Sequence, residues 1–126
     1  MPLVRIDLPS GNSDAYKEAV IDVVYRALVD VANAPEHDKF FVVTEHERAA
    51  LVMDPHYFVE RSAAAMIIQI TLNAGRTVEV KKKLYRAIAD GLSDRVQLRT
   101  EDVVVNLVEV PKENWSFGLG EAQYAD

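Results

Sequence analysis

Cysteine is absent from this chain of 126 residues, which excludes disulfides, zinc–thiolate sites and a thiol nucleophile. A basic excess is absent too, since 14 Lys and Arg stand against 20 Asp and Glu, for a net charge of −6. Nucleic-acid binding requires a basic surface, so we expect no nucleic-acid partner. No apolar run reaches the roughly 18–20 residues of a membrane span, and no signal peptide is visible. We therefore expect a single-domain cytoplasmic protein without a membrane partner.

The sequence also lacks the usual marks of cofactor chemistry. His37, His46 and His56 do not have metal-ligand spacing, and they form no convincing catalytic triad. A glycine-rich phosphate loop before a helix is missing as well. We therefore predict no metal site and no cofactor.

An internal repeat organises the chain. The triplet Gly11-Asn12-Ser13 matches Gly75-Arg76-Thr77, which lies 64 positions later (11 to 75), and no gap is needed across the unit. We predict one domain of residues 1–126, made of repeats at about 2–45 and 66–109 with a tail at 110–126. The same shift relates Lys17 to Lys81, Asp38 to Asp102 and Glu45 to Glu109.

Each repeat has the pattern of a strand, a helix and a second strand. Alternating apolar residues predict the first strand, and apolar residues at helical spacing predict an amphipathic helix after it. Ser13 and Thr77 are the expected N-caps, while Pro35 and Gly91 mark the expected helix ends. A short helical turn is expected around 47–53. The predicted strands are Val4–Leu8, Phe40–Thr44, Ala64–Leu72 and Val103–Val108.

This pattern predicts an α+β fold, in which two tandem β-α-β units form a four-stranded sheet with two helices on one face. Strands joined by a helix should be parallel within each unit. Two helices cover only one face of a sheet. Because the other face also carries apolar residues, we expect it to contact another subunit.

Pro2 directly follows Met1 and opens the first strand. Methionine is usually removed before a small residue, so we expect the mature chain to begin with a secondary amine. Ordinary α-amino groups have a pKa of about 7.7–8.0, and burial among apolar groups lowers the pKa of an amine. Such a nitrogen is a candidate general base, general acid or nucleophile. The structural alternative is that proline is simply tolerated at the first position of a strand.

Three segments together resemble the tautomerase superfamily: Pro2–Leu8, the turn at Gly75-Arg76-Thr77, and the tail Asn114-Trp115-Ser116-Phe117-Gly118. The start and the tail are most similar to the malonate semialdehyde decarboxylase group. The resemblance implies the tautomerase fold, a homotrimer, and a cofactor-independent enzyme whose sites lie near the N-termini. Because Met66 stands where the second repeat would need a proline, one site per chain is expected.

Three residues are the candidates for catalysis. Pro2 would move a proton, and Arg76 would hold a substrate carboxylate at a helix entry with two parallel hydrogen bonds. The resemblance maps Asp38 onto a carboxylate that handles water or protons. The alternatives are a solvated surface arginine for Arg76 and a turn or cap residue for Asp38, as its repeat mate Asp102 suggests.

Four residues are the further candidates for substrate binding alongside Arg76. Asn73 stands roughly where some decarboxylases of the group carry a second arginine, and this departure leaves the substrate open. Trp115 and Phe117 are expected to form an apolar wall, although core packing or a subunit contact would also explain them. Arg61 is a candidate anion ligand, and pairing with Glu60 or another surface acid is its alternative.

These observations lead to two hypotheses. The first is an enzyme acting on a small keto, enol or β-oxo carboxylate through its amino-terminal proline, with tautomerisation and malonate semialdehyde decarboxylation both open. The second is a non-enzymatic small-ligand-binding or oligomerisation module, in which Pro2 is incidental.

Overall fold

The protein is described by a computed structural model that covers residues 2–125. The expected removal of Met1 concerns a residue outside this range. Three single-turn 3₁₀ helices lie between or after the main elements, at Arg48–Ala50, Thr100–Asp102 and Lys112–Asn114. The main elements are β1 (Leu3–Pro9), α1 (Asp14–Ala32), β2 (Phe40–His46), β3 (Met66–Asn73), α2 (Val78–Val96) and β4 (Val103–Val110).

The four strands form one mixed sheet in the order β2-β1-β3-β4. Strands β1 and β2 are parallel, as are β3 and β4, and the two pairs meet through the antiparallel contact of β1 with β3. This arrangement confirms the predicted fold of two β-α-β units with a four-stranded sheet.

The core lies between the two helices and one face of the sheet. Alternate residues of β1 and β3 point into it, so Val4, Ile6, Ile68 and Ile70 are at most 1% exposed. The helices complete the core with their apolar stripes, among them Leu28 of α1 and the α2 residues Leu84 and Ile88. The other face of the sheet, which we call the open face, is covered by neither α1 nor α2. It exposes Phe40, Val42 and Val108 by 38–47%.

Both predicted N-caps are confirmed. The Ser13 hydroxyl oxygen accepts a hydrogen bond from the Tyr16 amide at 3.1 Å, and the Thr77 hydroxyl oxygen accepts one from the Val80 amide at 3.2 Å. Each helix therefore begins at the same position of its repeat.

The predicted end of α2 at Gly91 is wrong, because the helix continues to Val96. A Cβ atom on Gly91 would lie 2.7 Å from Cγ1 of Val23 on α1. The glycine therefore serves the close approach of the two helices rather than a helix end. By contrast, α1 ends at Ala32, shortly before Pro35, as expected.

The connection between the repeats is irregular, apart from the turn at Arg48–Ala50 that lies within the predicted segment 47–53. Strand β3 begins at Met66, two residues later than predicted, and β4 extends to Val110. Within residues 2–125, neither helix is long and apolar enough to cross a membrane.

Candidate active site

One end of the sheet gathers most of the candidate residues. Pro2 is buried and lies immediately before β1, where Leu3 pairs with Phe40 on one side and with Thr71 on the other. Asp38 precedes β2, and Asn73 is the last residue of β3. Continued by one residue, this register sets Pro2 opposite Lys39 and Leu72, so Asp38 and Asn73 are the next residues along the strands on the two sides of Pro2.

The Arg76 guanidinium is anchored at the same end of the sheet. Gly75, with a φ of +126°, makes the turn from β3 toward α2, a conformation that glycine adopts without strain. The Arg76 Nε then donates to the carbonyl of Ala32 at 2.9 Å, and Nη1 donates to the carbonyl of Asn73 at 3.1 Å. Arg76 is therefore not a freely solvated arginine, because it ties the last residue of α1 to the last residue of β3.

This anchoring leaves part of the guanidinium for a ligand. Burial lowers the pKa of Arg76, which Glu109 partly offsets, and an arginine stays cationic at neutral pH. Among residues 2–125 nothing accepts a hydrogen bond from Nη2, and Nη1 has a second hydrogen. The end of the guanidinium can thus donate two parallel hydrogen bonds to one carboxylate.

A buried amide fixes the indole ring of the tail. The Trp115 Nε1 donates to Oδ1 of Asn73 at 2.7 Å, and the Asn73 side chain is almost fully buried at 6% exposure. The tail from Val110 onward is thereby held against the end of β3. Asn73 therefore positions the aromatic wall in this structure, besides supplying its carbonyl to Arg76.

Aromatic rings form a cleft at this end of the open face. Trp115 and Phe117 are stacked with centroids 5.5 Å apart and planes at 8°, and Phe117 also contacts Phe40 at 5.8 Å. The cleft has a volume of about 530 Å³, within the usual range for a small-molecule site. It adjoins Pro2 through Leu3, the next residue, and its other lining residues include Thr71, Val110, Asn114 and Ser116.

Two residues of this aromatic cluster, and the glutamine that hydrogen-bonds its backbone, were not predicted from the sequence. Phe40 lines the cleft, and Tyr124 meets Phe117 edge-on at 5.2 Å. The Gln123 side chain accepts from the Phe117 amide at 2.9 Å and donates to the Gly118 carbonyl at 2.9 Å. Alternation along β2 places Phe40 on the open face, whereas nothing periodic in the tail predicts Tyr124 or Gln123.

The two repeat-related aspartates have different surroundings. Asp102 is buried and accepts hydrogen bonds from both the amide of Ser62, at 2.7 Å, and the Ser62 hydroxyl. Asp38 is half-buried, lies one residue before the position opposite Pro2, and its amide donates to the Pro35 carbonyl at 3.3 Å. Asp102 therefore has the turn-holding role, while the position of Asp38 suits contact with a ligand at the proline.

Arg61 is the candidate that the fold does not bring to this cluster. It lies in the connection before β3, beside the far end of β1, and its cavity includes Pro9. Since β1 has seven residues, Arg61 is separated from Pro2 by roughly 20 Å along the sheet. Its Nη1 donates to the carbonyls of Asp54 and Tyr57 at 2.9 and 2.8 Å, so it holds its own loop rather than Glu60. Within one chain, the expectation that Arg61 shares a site with Pro2 is not met.

Comparisons with known proteins agree with this geometry. Two family models described as tautomerase enzyme match the chain, one over residues 38–118 and the other over residues 2–61. The chain is 38% identical to the probable tautomerase YusQ of Bacillus subtilis (strain 168), with 98% of each chain covered. It is 32% identical to the probable tautomerase YrdN of the same strain, with 98% of this chain and 96% of that protein covered.

Solved structures give the same result. The chain resembles FG41 malonate semialdehyde decarboxylase, inhibited by 3-bromopropiolate, with a TM-score of 0.90 and 36% identity over 97% of this chain and 93% of that one. It also resembles a fused 4-OT that forms a symmetric trimer, with a TM-score of 0.80 and 27% identity over 98% of each chain. Fold, repeat and matches together show that this chain belongs to the tautomerase family, in the group that includes malonate semialdehyde decarboxylase.

Proposed function

We propose that this chain is a cofactor-independent enzyme that acts on small keto, enol or β-oxo carboxylates through the amine of Pro2, once Met1 has been removed. Its reaction is tautomerisation, malonate semialdehyde decarboxylation, or both. The observation that supports this most is the meeting of a buried proline, an anchored guanidinium and an aromatic cleft at one end of the sheet. The similarity to a malonate semialdehyde decarboxylase and to probable tautomerases supports both reactions.

In tautomerisation, Arg76 holds the substrate carboxylate through Nη1 and Nη2. The neutral amine of Pro2 takes the proton of the enol hydroxyl, and the electron pair moves to form the ketone. The resulting ammonium returns a proton to the carbon. Burial suits both steps, because it brings the pKa of an amine toward neutrality, where one group serves as base and acid.

In decarboxylation, the protonated amine of Pro2 donates a hydrogen bond to the β-carbonyl oxygen. The bond between the carboxylate and the α-carbon then breaks, and its electron pair moves toward the polarised carbonyl as CO₂ leaves. The Pro2 proton moves onto that oxygen, which gives an enol and a neutral amine. The amine then takes the enol hydroxyl proton and returns it to carbon, which gives acetaldehyde, and a proton from solvent restores the ammonium. An apolar wall from Trp115 and Phe117 favours this step, since charge is lost from the carboxylate as the bond breaks.

We further propose a homotrimer packed through the open face of the sheet. The exposed apolar residues Phe40 and Val42 on β2, and Val108 on β4, would be covered by neighbouring subunits. The structurally similar fused 4-OT proteins are trimers. Because the aromatic cleft is on the same face, its outer rim would lie near a subunit boundary.

The experiment that tests the proposal compares wild type with Pro2→Ala, after intact-mass measurement has shown that both lack Met1. We expect kcat/KM for phenylenolpyruvate, for malonate semialdehyde or for both to fall on substitution. Pro55→Ala is the matched control, because Pro55 lies at the other end of the sheet. Equal turnover by wild type and Pro2→Ala would remove the proline from the mechanism. Ligand binding without turnover in either protein would favour the binding module instead.

A further inference from the structure

A second cavity lies at the end of the sheet opposite to Pro2. It has a volume of about 450 Å³, similar to that of the aromatic cleft and within the ordinary range for small-ligand sites. It is lined by the end of β1, the end of β2 and the connection before β3. The lining residues that matter here are Pro9, His46, Arg48, Leu51, Met53 and Arg61.

The internal repeat relates this cavity to the aromatic cleft. Four of its lining residues lie 64 positions before residues of the site at the other end. Leu51 and Met53 thus stand where Trp115 and Phe117 form the aromatic wall. The four pairs are Pro9 and Asn73, His46 and Val110, Leu51 and Trp115, and Met53 and Phe117.

This counterpart cannot perform proline chemistry. Met66 replaces Pro2 and is an interior residue of the chain, so it has no free amine. Asn12 replaces Arg76, and its Nδ2 donates to the carbonyl of Pro9 at 2.7 Å. The guanidinium and the amine of the first site are therefore both missing at the second.

Two other cations line the second cavity, and none of its lining residues within 2–125 is Asp or Glu. Arg61 is held in place through Nη1, while its Nε is buried and has no hydrogen-bond partner within residues 2–125. Arg48 makes no ion pair with any residue in that same range. Neither arginine forms an ion pair with an Asp or Glu of residues 2–125, although the charge of Arg61 helps to lower the pKa of Asp54.

The acidic side chains near this cavity already have hydrogen-bond partners in the protein. Asp7 contacts Nε2 of His46 at 2.6 Å, and Asp54 accepts from the amides of His56 and Tyr57. Asp102 is engaged by Ser62, as described above. Arg48 and the Nη2 group of Arg61 are thus left for an external anion, and Leu51 and Met53 provide apolar surface beside them.

We infer that this cavity is a second, non-catalytic site that binds a small organic carboxylate. The guanidinium groups of Arg48 and Arg61 would hold the carboxylate, and Leu51 and Met53 would contact its apolar body. Arg61 is thereby assigned to the second cavity, which is the repeat counterpart of the proline site, and no longer to the proline site itself. The inference does not depend on the proposed reaction, since it concerns binding alone.

The test is an NMR titration of the full-length protein with benzoate. The Met53 methyl group reports on the second cavity, and the indole NH of Trp115, the only tryptophan, reports on the aromatic cleft. We expect saturable shifts of the Met53 signal. Arg48→Gln, which removes no hydrogen bond or ion pair between residues 2–125, should weaken the Met53 isotherm at least about tenfold and leave that of Trp115 unchanged.

Three outcomes would overturn the inference. The first is a Met53 signal that stays unmoved while benzoate saturates the Trp115 signal, as when a neighbouring subunit fills the cavity. The second is an isotherm that is the same in wild type and in Arg48→Gln. The third is inorganic phosphate binding as tightly as benzoate, because this would show a simple anion site without use of Leu51 and Met53. Arg61→Gln should act in the same direction as Arg48→Gln, but Arg48 decides the question because Arg61 also holds its loop.

Discussion

Replacing Arg76 by lysine separates the geometry of the guanidinium from its charge. Lysine keeps the positive charge, but it cannot donate to the carbonyls of Ala32 and Asn73 at once and also offer a fork to a carboxylate. A hydrogen bond from a charged donor contributes about 1.5–3 kcal/mol net. Arg76 is only half-buried and one of the two bonds can be replaced, so we expect the free energy of unfolding to fall by about 1.5–2 kcal/mol.

The same substitution should affect catalysis through the substrate carboxylate. Losing one of two parallel hydrogen bonds, at about 1.5–3 kcal/mol, corresponds to a fall of roughly 10- to 150-fold in kcat/KM. The assays are urea unfolding and turnover of phenylenolpyruvate beside its methyl ester, which has no carboxylate for Arg76 to hold. We expect the ester to lose little.

Arg86→Lys is the matched control, because Arg86 is exposed on α2 and its one ion pair within residues 2–125 is with Asp90 at 3.4 Å. An exposed pair of this kind contributes at most about 1 kcal/mol, so neither stability nor turnover should change much. A role for the guanidinium of Arg76 in holding the carboxylate is refuted if Arg76→Lys behaves like this control, or if the acid and its ester lose turnover equally.

Three further predictions concern packing, the aromatic wall and pH. Gly91→Ala should lower the free energy of unfolding by about 1–3 kcal/mol despite the better helix propensity of alanine, because its Cβ would clash with Val23. Adding Val23→Ala in the same chain should relieve this loss, and a double-mutant cycle measures the relief. Trp115→Phe removes the hydrogen bond to the buried amide of the wall, so KM should rise more than kcat falls; an unchanged KM would count against a positioning role. The hydrogen bond from Lys81 is the main cause that lowers the pKa of Glu109 below its ordinary value of 4.5. The pKa of Glu109 is lower in the folded state than in the unfolded state. The ionised carboxylate therefore stabilises the folded state above about pH 4.5, and this stabilisation is lost as the pH falls through the lowered pKa. Lys81→Gln should accordingly reduce the acid-induced drop in the urea midpoint.

The repeat made most of the fold predictable from the sequence. Caps and strand patterns are local signals, so Ser13 and Thr77 identified both helix starts. The helix end predicted at Gly91 was wrong because the glycine makes room for a methyl group of Val23 on the other helix, and local sequence patterns do not contain such a tertiary contact. A helix-end signal and a helix-packing signal look the same in one sequence.

The candidate site was predictable only in part. Pro2 was proposed from its place directly behind Met1 and Arg76 from its place at a strand-to-helix turn, and the family resemblance added to both. The bond between Asn73 and Trp115 joins residues 42 positions apart and depends on how the tail folds back. Tyr124 joins the aromatic cluster for the same reason. Arg61 was grouped with Pro2 on its charge alone, because composition does not say at which end of a sheet a loop residue lies.

A ¹⁵N NMR titration of the protein labelled with [¹⁵N]proline tests the central claim most directly. The chain has five prolines, and only a proline at the N-terminus has a nitrogen that can be protonated. We predict that one proline signal titrates, with a midpoint below the ordinary range of about 7.7–8.0 for an α-amino group. A nitrogen that never titrates, or one whose pKa lies at or above that range, would contradict a buried, catalytically poised amine at Pro2.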